Sequence, residues 1–284
     1  MRLHLLGVRG STPAPGAAFI RYGGHTSCVA LAADGEAPRL ALDAGTGLRN
    51  LPALLDGGPF HGTLLLGHLH WDHTHGLPFC PAIDRDDAMV RLLLPEQGAP
   101  AIEVLGRAMS PPHFPIDPSG LHGQWRFDGL APGHHRLEGF DVLAREIPHT
   151  GGTTFGFRVS DGSSAIAYLS DHGPSALGAG PDGWGPYHDA ARDLARDVDV
   201  LVHDAQHTAE ELPAFAHFGH SAAEYAVALG EHSGARTVVL YHHDPRRTDD
   251  ELDEIVARFS SAAVVVIGAR EGAELVVSGD QPPA

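Results

Sequence analysis

One short segment of the sequence concentrates side chains that bind metal ions. His68, His70, Asp72 and His73 lie within six positions, directly after the apolar run 63–66. A chain that leaves a buried strand in extended form points alternate residues, here 68 and 70, to one side, and a turn then presents 72 and 73. Imidazole and carboxylate groups are suitable ligands for zinc, and also for manganese or iron. The segment predicts a metal site, with a solvated loop of clustered histidines as the alternative.

The segment from His68 to His73, HLHWDH, resembles the signature motif of the metallo-β-lactamase superfamily. The similarity runs from Gly10 to the last predicted strands, and later positions of the family pattern occur in the same order. It implies an α/β fold, a four-layer αββα sandwich of two mixed β-sheets flanked by helices, with the metals at one edge of the sheets. The later residues that match are His149 in PHTGG, Asp171 in YLSD and His242 in LYHHDP.

The resemblance also implies a cofactor, namely two divalent metal ions. We assign these as Zn²⁺, with Mn²⁺ or Fe²⁺ as alternatives. Asp72 is an implied metal ligand and also a predicted catalytic residue, together with His220 and Asp204. The implied ligands are His68, His70 and His149 for one ion, Asp72, His73 and His242 for the other, and Asp171 as the bridge between them.

Two assignments stay open at this point. His242 and His243 are adjacent, and we favour His242 as the ligand because it directly follows the predicted strand 236–241. Asp43 resembles a buried aspartate of the family that orients a ligand histidine through the ring N–H. The alternative for Asp43 is an aspartate that only forms a turn before an Ala-Gly pair.

Two loops indicate a branch of the superfamily. VHDAQ at 202–206 resembles the "His-Glu-Ala-Thr" loop of ribonuclease Z, and FGHSA at 218–222 resembles its "His-Ser-Thr" loop. The resemblance implies that His220 protonates the leaving oxygen and that Asp204 holds or tunes it, although the family residue at this position is the longer Glu. The alternative for His220 is a structural one, since it directly precedes the candidate helix cap Ser221.

The spacing between two of the matched residues bears on the substrate. From His149 to Asp171 the interval is 171 − 149 = 22 residues, enough for a hairpin of strands 154–160 and 164–170. The long tRNA-binding arm of ribonuclease Z is therefore missing from this interval. The net charge of −17 also disfavours binding of a long nucleic acid. We predict a phosphodiesterase that cleaves a small or cyclic phosphodiester with a hydroxide shared by two metal ions.

Other functions on the same fold remain open from the sequence. One is hydrolysis of another ester class, such as a lactone, a thioester or a sulfate ester. Another is a metal-binding or sensing protein without turnover. The analogy with the phosphodiesterase branch also suggests a homodimer.

The elements that must position these residues follow from apolar runs and helix caps. Helices are predicted near 187–197, after a capping box at 221–224, and after a second box at 248–251. The chain, 1–284, is predicted to be one domain, with strand-like segments at 2–8, 28–33, 38–43, 63–67, 89–94, 140–147, 154–160, 164–170, 198–203, 236–241, 263–268 and 273–278.

The stretch 95–136 is rich in Pro, His and Gly and predicts an insertion or lid with little regular structure. Four aromatic residues are candidates to cover the mouth of the site or to stack on a base, with simple packing as the alternative. These residues are Phe114, Trp125, Trp184 and Tyr187.

Composition indicates the compartment. The two cysteines, Cys28 and Cys80, are too few for a disulfide framework and are predicted to be core residues. The first residues contain no apolar stretch of signal-peptide length, and no segment has the length and hydrophobicity of a membrane span. These features predict a cytoplasmic protein with a small-molecule substrate and no membrane association.

Overall fold

A computed structural model describes residues 1–279. These residues form two sheets of seven strands each. Both sheets are mixed, because one half of each pairs in parallel and the other half in antiparallel fashion. In spatial order the first sheet consists of β14 (Glu274–Val276), β1 (Arg2–Gly7), β2 (Cys28–Ala32), β3 (Leu40–Leu42), β4 (His61–Leu65), β5 (Met89–Pro95) and β6 (Gln124–Leu130).

The second sheet carries most of the helices on its outer face. None of the helices within residues 1–279 has the length and apolar character needed to cross a membrane. The strands in spatial order are β13 (Val265–Gly268), β12 (Thr237–Tyr241), β11 (Val200–Asp204), β10 (Ala165–Leu169), β9 (Phe155–Ser160), β8 (Phe140–Glu146) and β7 (Gly133–Leu137). The α-helices are α1 (Ala101–Gly106), α2 (Asp189–Ala195), α3 (Leu212–Phe215), α4 (Ala223–Ser233) and α5 (Asp249–Ala257).

The apolar runs of the central strands are buried on both faces. In β10, Ile166 and Tyr168 join the core between the two sheets, whereas Ala167 and Leu169 join the core under α2 and α4. Successive side chains of a strand point to opposite faces, so a continuous apolar run supplies two cores at once. The first sheet is covered in the same way by α1 and by the 3-10 helix Thr46–Leu55. The molecule is therefore the predicted four-layer αββα sandwich.

The carboxyl ends of several strands meet at one edge of this sandwich. β10, β11 and β12 are parallel, and they lead into Asp171, Asp204 and His242 respectively. β3 and β4 of the first sheet are also parallel and lead into Asp43 and His68. Polar side chains from both sheets are thereby brought to a common edge, which is the usual place for a site in folds with parallel strands.

The prediction of little regular structure at 95–136 was wrong. This stretch contains α1, β6 and all but the last residue of β7, so it supplies the outermost strand of each sheet. Outer strands are half exposed, and their sequences alternate with charged residues such as Asp128, which pairs with Arg91 at 2.9 Å. No continuous apolar run marks them for that reason. All twelve predicted strands are present, whereas a lid function of this stretch stays a prediction.

The predicted capping box at the start of α4 was also wrong. The hydroxyl of Ser221 donates to the carbonyl of His172 at 2.6 Å instead of capping the helix. The carboxylate of Glu224 accepts the N–H of Ala209 at 2.7 Å. Both side chains make tertiary contacts with residues distant in sequence. Such contacts cannot be read from the local sequence.

The two cysteines lie in the core, as predicted. Cys28 and Cys80 are both fully buried free thiols in the apolar cluster between the first sheet and its helices. Burial raises the pKa of the Cys80 thiol to about 11.

The capping box of α5 is present and gives a test of local stability. The carboxylate of Glu251 accepts the N–H of Thr248 at 2.7 Å, and the Thr248 hydroxyl accepts the N–H of Glu251 at 3.4 Å. We expect Thr248→Ala to lower the free energy of unfolding by about 1 kcal/mol, because one helix N–H loses its acceptor. Urea titration of chelator-treated protein measures this. Thr248→Ser should match the wild type, and equal stability of all three proteins would contradict the assignment.

Candidate metal centre

A first group of donor atoms gathers around one oxygen of Asp171. The Nε2 atoms of His68 and His149 each lie 3.6 Å from Asp171 Oδ2. The Nδ1 of His70 lies 3.2 Å from the Nε2 of His149. These four residues come from the loop after β4, the loop after β8 and the end of β10, so the first group draws on both sheets.

A second group gathers around the other oxygen of Asp171. The Nε2 atoms of His73 and His242 lie 3.0 and 3.3 Å from Asp171 Oδ1, and 3.3 Å from each other. The Oδ2 of Asp72 lies 3.2 Å from the Nε2 of His242 and 3.3 Å from that of His73. A single 3-10 turn, Trp71–His73, presents Asp72 and His73 together. The structure thus brings together all seven residues that the sequence singled out as ligands.

The spacing of these donors fits divalent metal ions. Donor atoms about 2.0–2.2 Å from one tetrahedral zinc ion lie roughly 3.3–3.6 Å from one another, close to the distances in both groups. The Nε2 of His68 and the Oδ1 of Asp171 are buried and have no hydrogen-bond partner within residues 1–279. Buried polar atoms are rarely left unpaired. Imidazole nitrogens and carboxylate oxygens that converge in this way form a donor set suited to a cation.

Asp43 fixes the ring of His73. Its carboxylate lies 2.7 Å from the Nδ1 of His73, which donates to it and leaves Nε2 to face Asp171. The same carboxylate accepts the N–H of Gly67 at 2.7 Å and the hydroxyls of Tyr168 and Ser170 at 2.8 and 3.2 Å. Asp43 also has a left-handed backbone, with φ of 60°. It therefore both forms a turn and orients a donor histidine.

The two adjacent histidines after β12 have different surroundings. His242 belongs to the second donor group. His243 does not, because its Nε2 donates to the carbonyl of Ala269 at 2.9 Å. Burial lowers the pKa of His243 to about 3. A Cβ atom at Gly10 would lie 2.3 Å from the Nδ1 of His242, so only glycine allows the imidazole to occupy its place.

Charge balance inside the cluster shifts several pKa values. Burial favours the neutral acid of Asp171, but the charges of His242 and His73 hold its pKa well below the usual range. Burial also lowers the pKa of His242, yet the carboxylates of Asp171 and Asp72 outweigh it and raise that pKa to about 9. The pKa of His73 is raised for the same reason, against burial. For His68, burial and the charge of His73 outweigh the carboxylate of Asp171, and its pKa lies well below normal.

His220 and Asp204 form a pair beside the donor cluster. The Nδ1 of His220 lies 2.8 Å from Asp204 Oδ2 and donates to it, so its Nε2 is the nitrogen available to a bound molecule. Asp204 is fixed by the backbone N–H groups of His172 and Gln206 at 3.1 and 3.0 Å. The His220 ring lies 5.1 Å from that of His149, which places it at the edge of the first donor group.

A cavity of about 660 Å³ opens over this cluster. Its floor contains His70, Asp72, His149, Asp171 and His220. This volume is typical of a small-molecule site. The four aromatic residues expected at the mouth, Phe114, Trp125, Trp184 and Tyr187, are not among the residues that line it; Trp71, Phe215 and Phe218 do so instead.

Sequence reasoning missed two contributors to the site. The backbone N–H of Ser11 donates to Asp72 Oδ2 at 2.6 Å, from a left-handed conformation with φ of 62°. The Gln206 amide donates to the Ser11 hydroxyl at 3.0 Å. The sequence around Ser11 did match the family pattern, but a backbone donor has no signature in residue type. The side chain of Ser11 therefore gave no sign of its role.

A chain of three imidazoles, also missed, lies behind the site. The Nδ1 of His172 is 2.9 Å from His203 Nε2, and its Nε2 is 2.7 Å from His188 Nε2. The Nδ1 of His203 donates to the carbonyl of Asp204 at 2.7 Å. Burial lowers the pKa of His172 well below normal and that of His203 to about 4, so both stay neutral. Each ring thus donates in a fixed direction and supports the strand ends that carry Asp171 and Asp204.

Known proteins share parts of this sequence and most of the fold. Ribonuclease Z of Thermoplasma volcanium is 40% identical over 72 residues, which is 25% of this chain and 24% of that protein. The chain thus spans about a quarter of the length of the curated relatives it matches. The metallo-β-lactamase fold protein YhfI from Bacillus subtilis superimposes with a TM-score of 0.69 at 18% identity, covering 96% of this chain and 98% of YhfI.

A diphosphatase from the PhnP family superimposes with a TM-score of 0.68 at 18% identity, covering 97% of each chain. These two structural likenesses support the fold. The sequence profile of the β-lactamase superfamily domain matches residues 39–243, a span that includes every residue of the two donor groups. The chain belongs to the metallo-β-lactamase superfamily of hydrolases.

Proposed function

We propose that the protein hydrolyses small phosphodiesters with two divalent metal ions, preferably zinc. The observation that carries the proposal is the shared carboxylate of Asp171, whose two oxygens face two separate donor groups beside the pair of His220 and Asp204. Two of the similar proteins support this chemistry, since a ribonuclease and a diphosphatase both act on phosphate esters or anhydrides.

The donor groups have the composition expected of a dinuclear site. We assign one ion to the first group and one to the second, with Asp171 shared between them. When bound, such ions supply positive charge for the phosphoryl oxygens and activate water for attack. The assigned ligands are His68, His70 and His149 for the first ion and Asp72, His73 and His242 for the second.

Residues of the protein supply the proton for the leaving group and orient the residue that donates it. In hydrolysis, a water oxygen forms a bond to phosphorus, and the bond from phosphorus to the leaving ester oxygen breaks. The leaving oxygen needs a proton, and the Nε2 of His220 is the donor we assign to it. Asp204 fixes the orientation of the His220 ring through Nδ1. The Asp204 pKa is lowered by His220 despite complete burial, so this carboxylate is ionised at neutral pH.

The lining of the cavity favours a small substrate with one phosphate. Arg246 is the one arginine in the lining formed by the described residues. Both oxygens of Asp244 hold it, at 3.0 and 2.7 Å, so its charge is already paired. Long nucleic acids need several unpaired cations to contact successive phosphates. The cavity lacks such a row of cations and suits a single phosphodiester group.

Substitution of His220 tests the reaction. We expect His220→Ala to lower kcat on bis(p-nitrophenyl) phosphate and on 2′,3′- or 3′,5′-cyclic nucleotides by about 10²–10⁴-fold, since the general acid is lost. Zinc content per chain should stay unchanged in the same variant. His134→Ala, at an exposed histidine on β7, is the matched control and should behave as wild type. Inactivity of zinc-loaded wild type on every diester, with turnover of a lactone, thioester or sulfate ester, would overturn the proposal.

The role of Asp43 predicts an effect on metal affinity without loss of a ligand. Asp43→Asn removes the charged acceptor of the His73 N–H and should weaken zinc binding by about 10- to 100-fold. Competition with a chromophoric chelator measures this. Asp56→Asn changes an exposed carboxylate at a left-handed turn and serves as the control. Equal zinc affinity in the Asp43→Asn variant and the wild type would show that His73 needs no such support.

Metal binding should be coupled to proton release. The pKa of His242 is about 9 and that of His73 is also raised, so both imidazoles are protonated at neutral pH in chelator-treated protein. Each must lose its proton to bind a cation, so affinity should rise as pH increases toward about 9. Calorimetric zinc titrations in buffers of different ionisation enthalpy give the number of protons released. We expect one or more at about pH 7, and a pH-independent affinity would argue against the assigned ligands.

A further inference from the structure

One wall of the cavity is an aromatic stack. The ring of His207 lies 5.3 Å from that of Phe215, with an interplanar angle of 19°. Phe215 in turn lies 6.5 Å from Phe218, with an angle of 22°. The three rings are therefore close to parallel. The ring of His217 also contacts Phe218, at 4.2 Å and 36°, yet Phe218 is still 54% exposed. An exposed aromatic ring is a ready surface for another flat ring.

A second exposed aromatic side chain also lines the cavity. Trp71 is 67% exposed although it lies between the donor residues His70 and Asp72. One of its faces stacks on His75 at 5.5 Å and 18°. Because the core does not need this indole, its exposure beside the donor cluster indicates a binding role. The cavity therefore has aromatic side chains on the donor loop and on the segment that follows α3.

Polar atoms accompany these rings. The Nε2 of His207 and the Oε1 of Gln206 are buried and have no hydrogen-bond partner within residues 1–279. Both side chains are at least nine-tenths buried and line the cavity, with 4% and 5% of their surface exposed. A buried donor or acceptor without a partner is costly unless a ligand satisfies it. These two atoms offer one ring nitrogen and one amide oxygen to a bound molecule.

The charge of this region excludes a second phosphate as the occupant. The guanidinium of Arg246 lies 5.5 Å from the centre of the Phe215 ring and is already paired with Asp244. A second anionic group would find no unpaired guanidinium or ammonium group in the lining that the structure describes. A flat, uncharged group with polar atoms on its edge matches the aromatic side chains and the two unpaired polar atoms.

We infer that this region binds a heteroaromatic ring carried by the substrate, with Trp71 and Phe218 as stacking residues and His207 and Gln206 as partners for the ring edge. The inference rests on the proposed phosphodiesterase function and narrows its substrate to small phosphodiesters of the nucleoside type. A cavity of about 660 Å³ has room for one such unit.

Two five-membered cyclic phosphodiesters, one with a nucleobase and one without, test this kinetically. With zinc-loaded enzyme, 2′,3′-cyclic AMP is compared with glycerol 1,2-cyclic phosphate. Phe218→Ala and Trp71→Ala should each raise the KM for the adenine substrate by about tenfold, the loss expected when a base loses a stacking partner. The KM for the glycerol substrate should stay unchanged. Phe79→Ala removes an equally exposed aromatic side chain, 66% exposed but outside the cavity, and should change neither value.

A binding experiment gives a readout independent of turnover. Adenosine 2′-monophosphate should quench the fluorescence of Trp71 on titration, and ribose 5-phosphate should not. The quenching should disappear in Trp71→Phe, because Trp125 and Trp184 do not line the cavity. Calorimetry should give tighter binding of the adenine ligand than of ribose phosphate in wild type, and this preference should fall about tenfold in Phe218→Ala.

The outcomes separate the two proposals. Tight, Phe218-dependent binding of the adenine ligand without hydrolysis of either diester supports the ring site and overturns the phosphodiesterase proposal. Hydrolysis of both diesters with equal KM values that Phe218→Ala leaves unchanged overturns the ring site alone. Quenching that persists in Trp71→Phe also overturns it, because the ring would then bind elsewhere. Thermal melting of each variant shows that the fold is retained.

Discussion

Asp171 is buried between two groups of imidazole nitrogens, with 1% of its surface exposed. Removing a carboxylate from water costs several kcal/mol unless positive charge compensates it. Here the compensation comes from His242 and His73, whose imidazoles hold protons in the absence of a competing cation. In the proposed dinuclear form, metal ions would replace those protons and neutralise the same carboxylate. The need to neutralise this one carboxylate therefore shapes the whole cluster.

The cluster also depends on the position of one sheet relative to the other across the sandwich. Asp43 follows β3 of the first sheet, whereas Tyr168 lies in β10 of the second, and the hydrogen bond of 2.8 Å between them crosses the sandwich. His73 and His242 likewise meet from opposite sheets. A shift of one sheet against the other would separate these partners. The apolar core between the sheets is thus a condition for the site, and metal binding in turn stabilises the packed sheets.

Some of this arrangement was readable in the sequence, and some was not. The donor residues of segment 68–73 were predicted from their spacing, and the twelve strands from apolar runs, because both are properties of residue type. The later donors, His149, Asp171 and His242, were implied by the resemblance to the superfamily. β6 was missed because an outer strand alternates with charged residues such as Asp128, and the role of Ser11 was missed because it acts through its backbone N–H. Ser221 was misassigned because its hydroxyl bonds to His172, a contact between distant segments. Tertiary contacts of this kind override local signals.

The aromatic segment that we assign to substrate recognition, around Phe218, is hydrogen-bonded to the loop that carries the donor residue His149. The carbonyl of Gly219 accepts the Nδ1–H of His149 at 2.7 Å, and the carbonyl of Phe218 accepts the hydroxyl of Thr150 at 3.0 Å. Two consecutive carbonyls of the aromatic segment therefore anchor two consecutive residues of the donor loop. A Cβ at Gly219 would come within 3.0 Å of the His149 ring, so the anchor tolerates no added side chain. The side chain at 218 takes no part in this anchor, which uses only the backbone carbonyl. Substrate preference can thus change through side chains on this segment, while any movement of its backbone displaces His149.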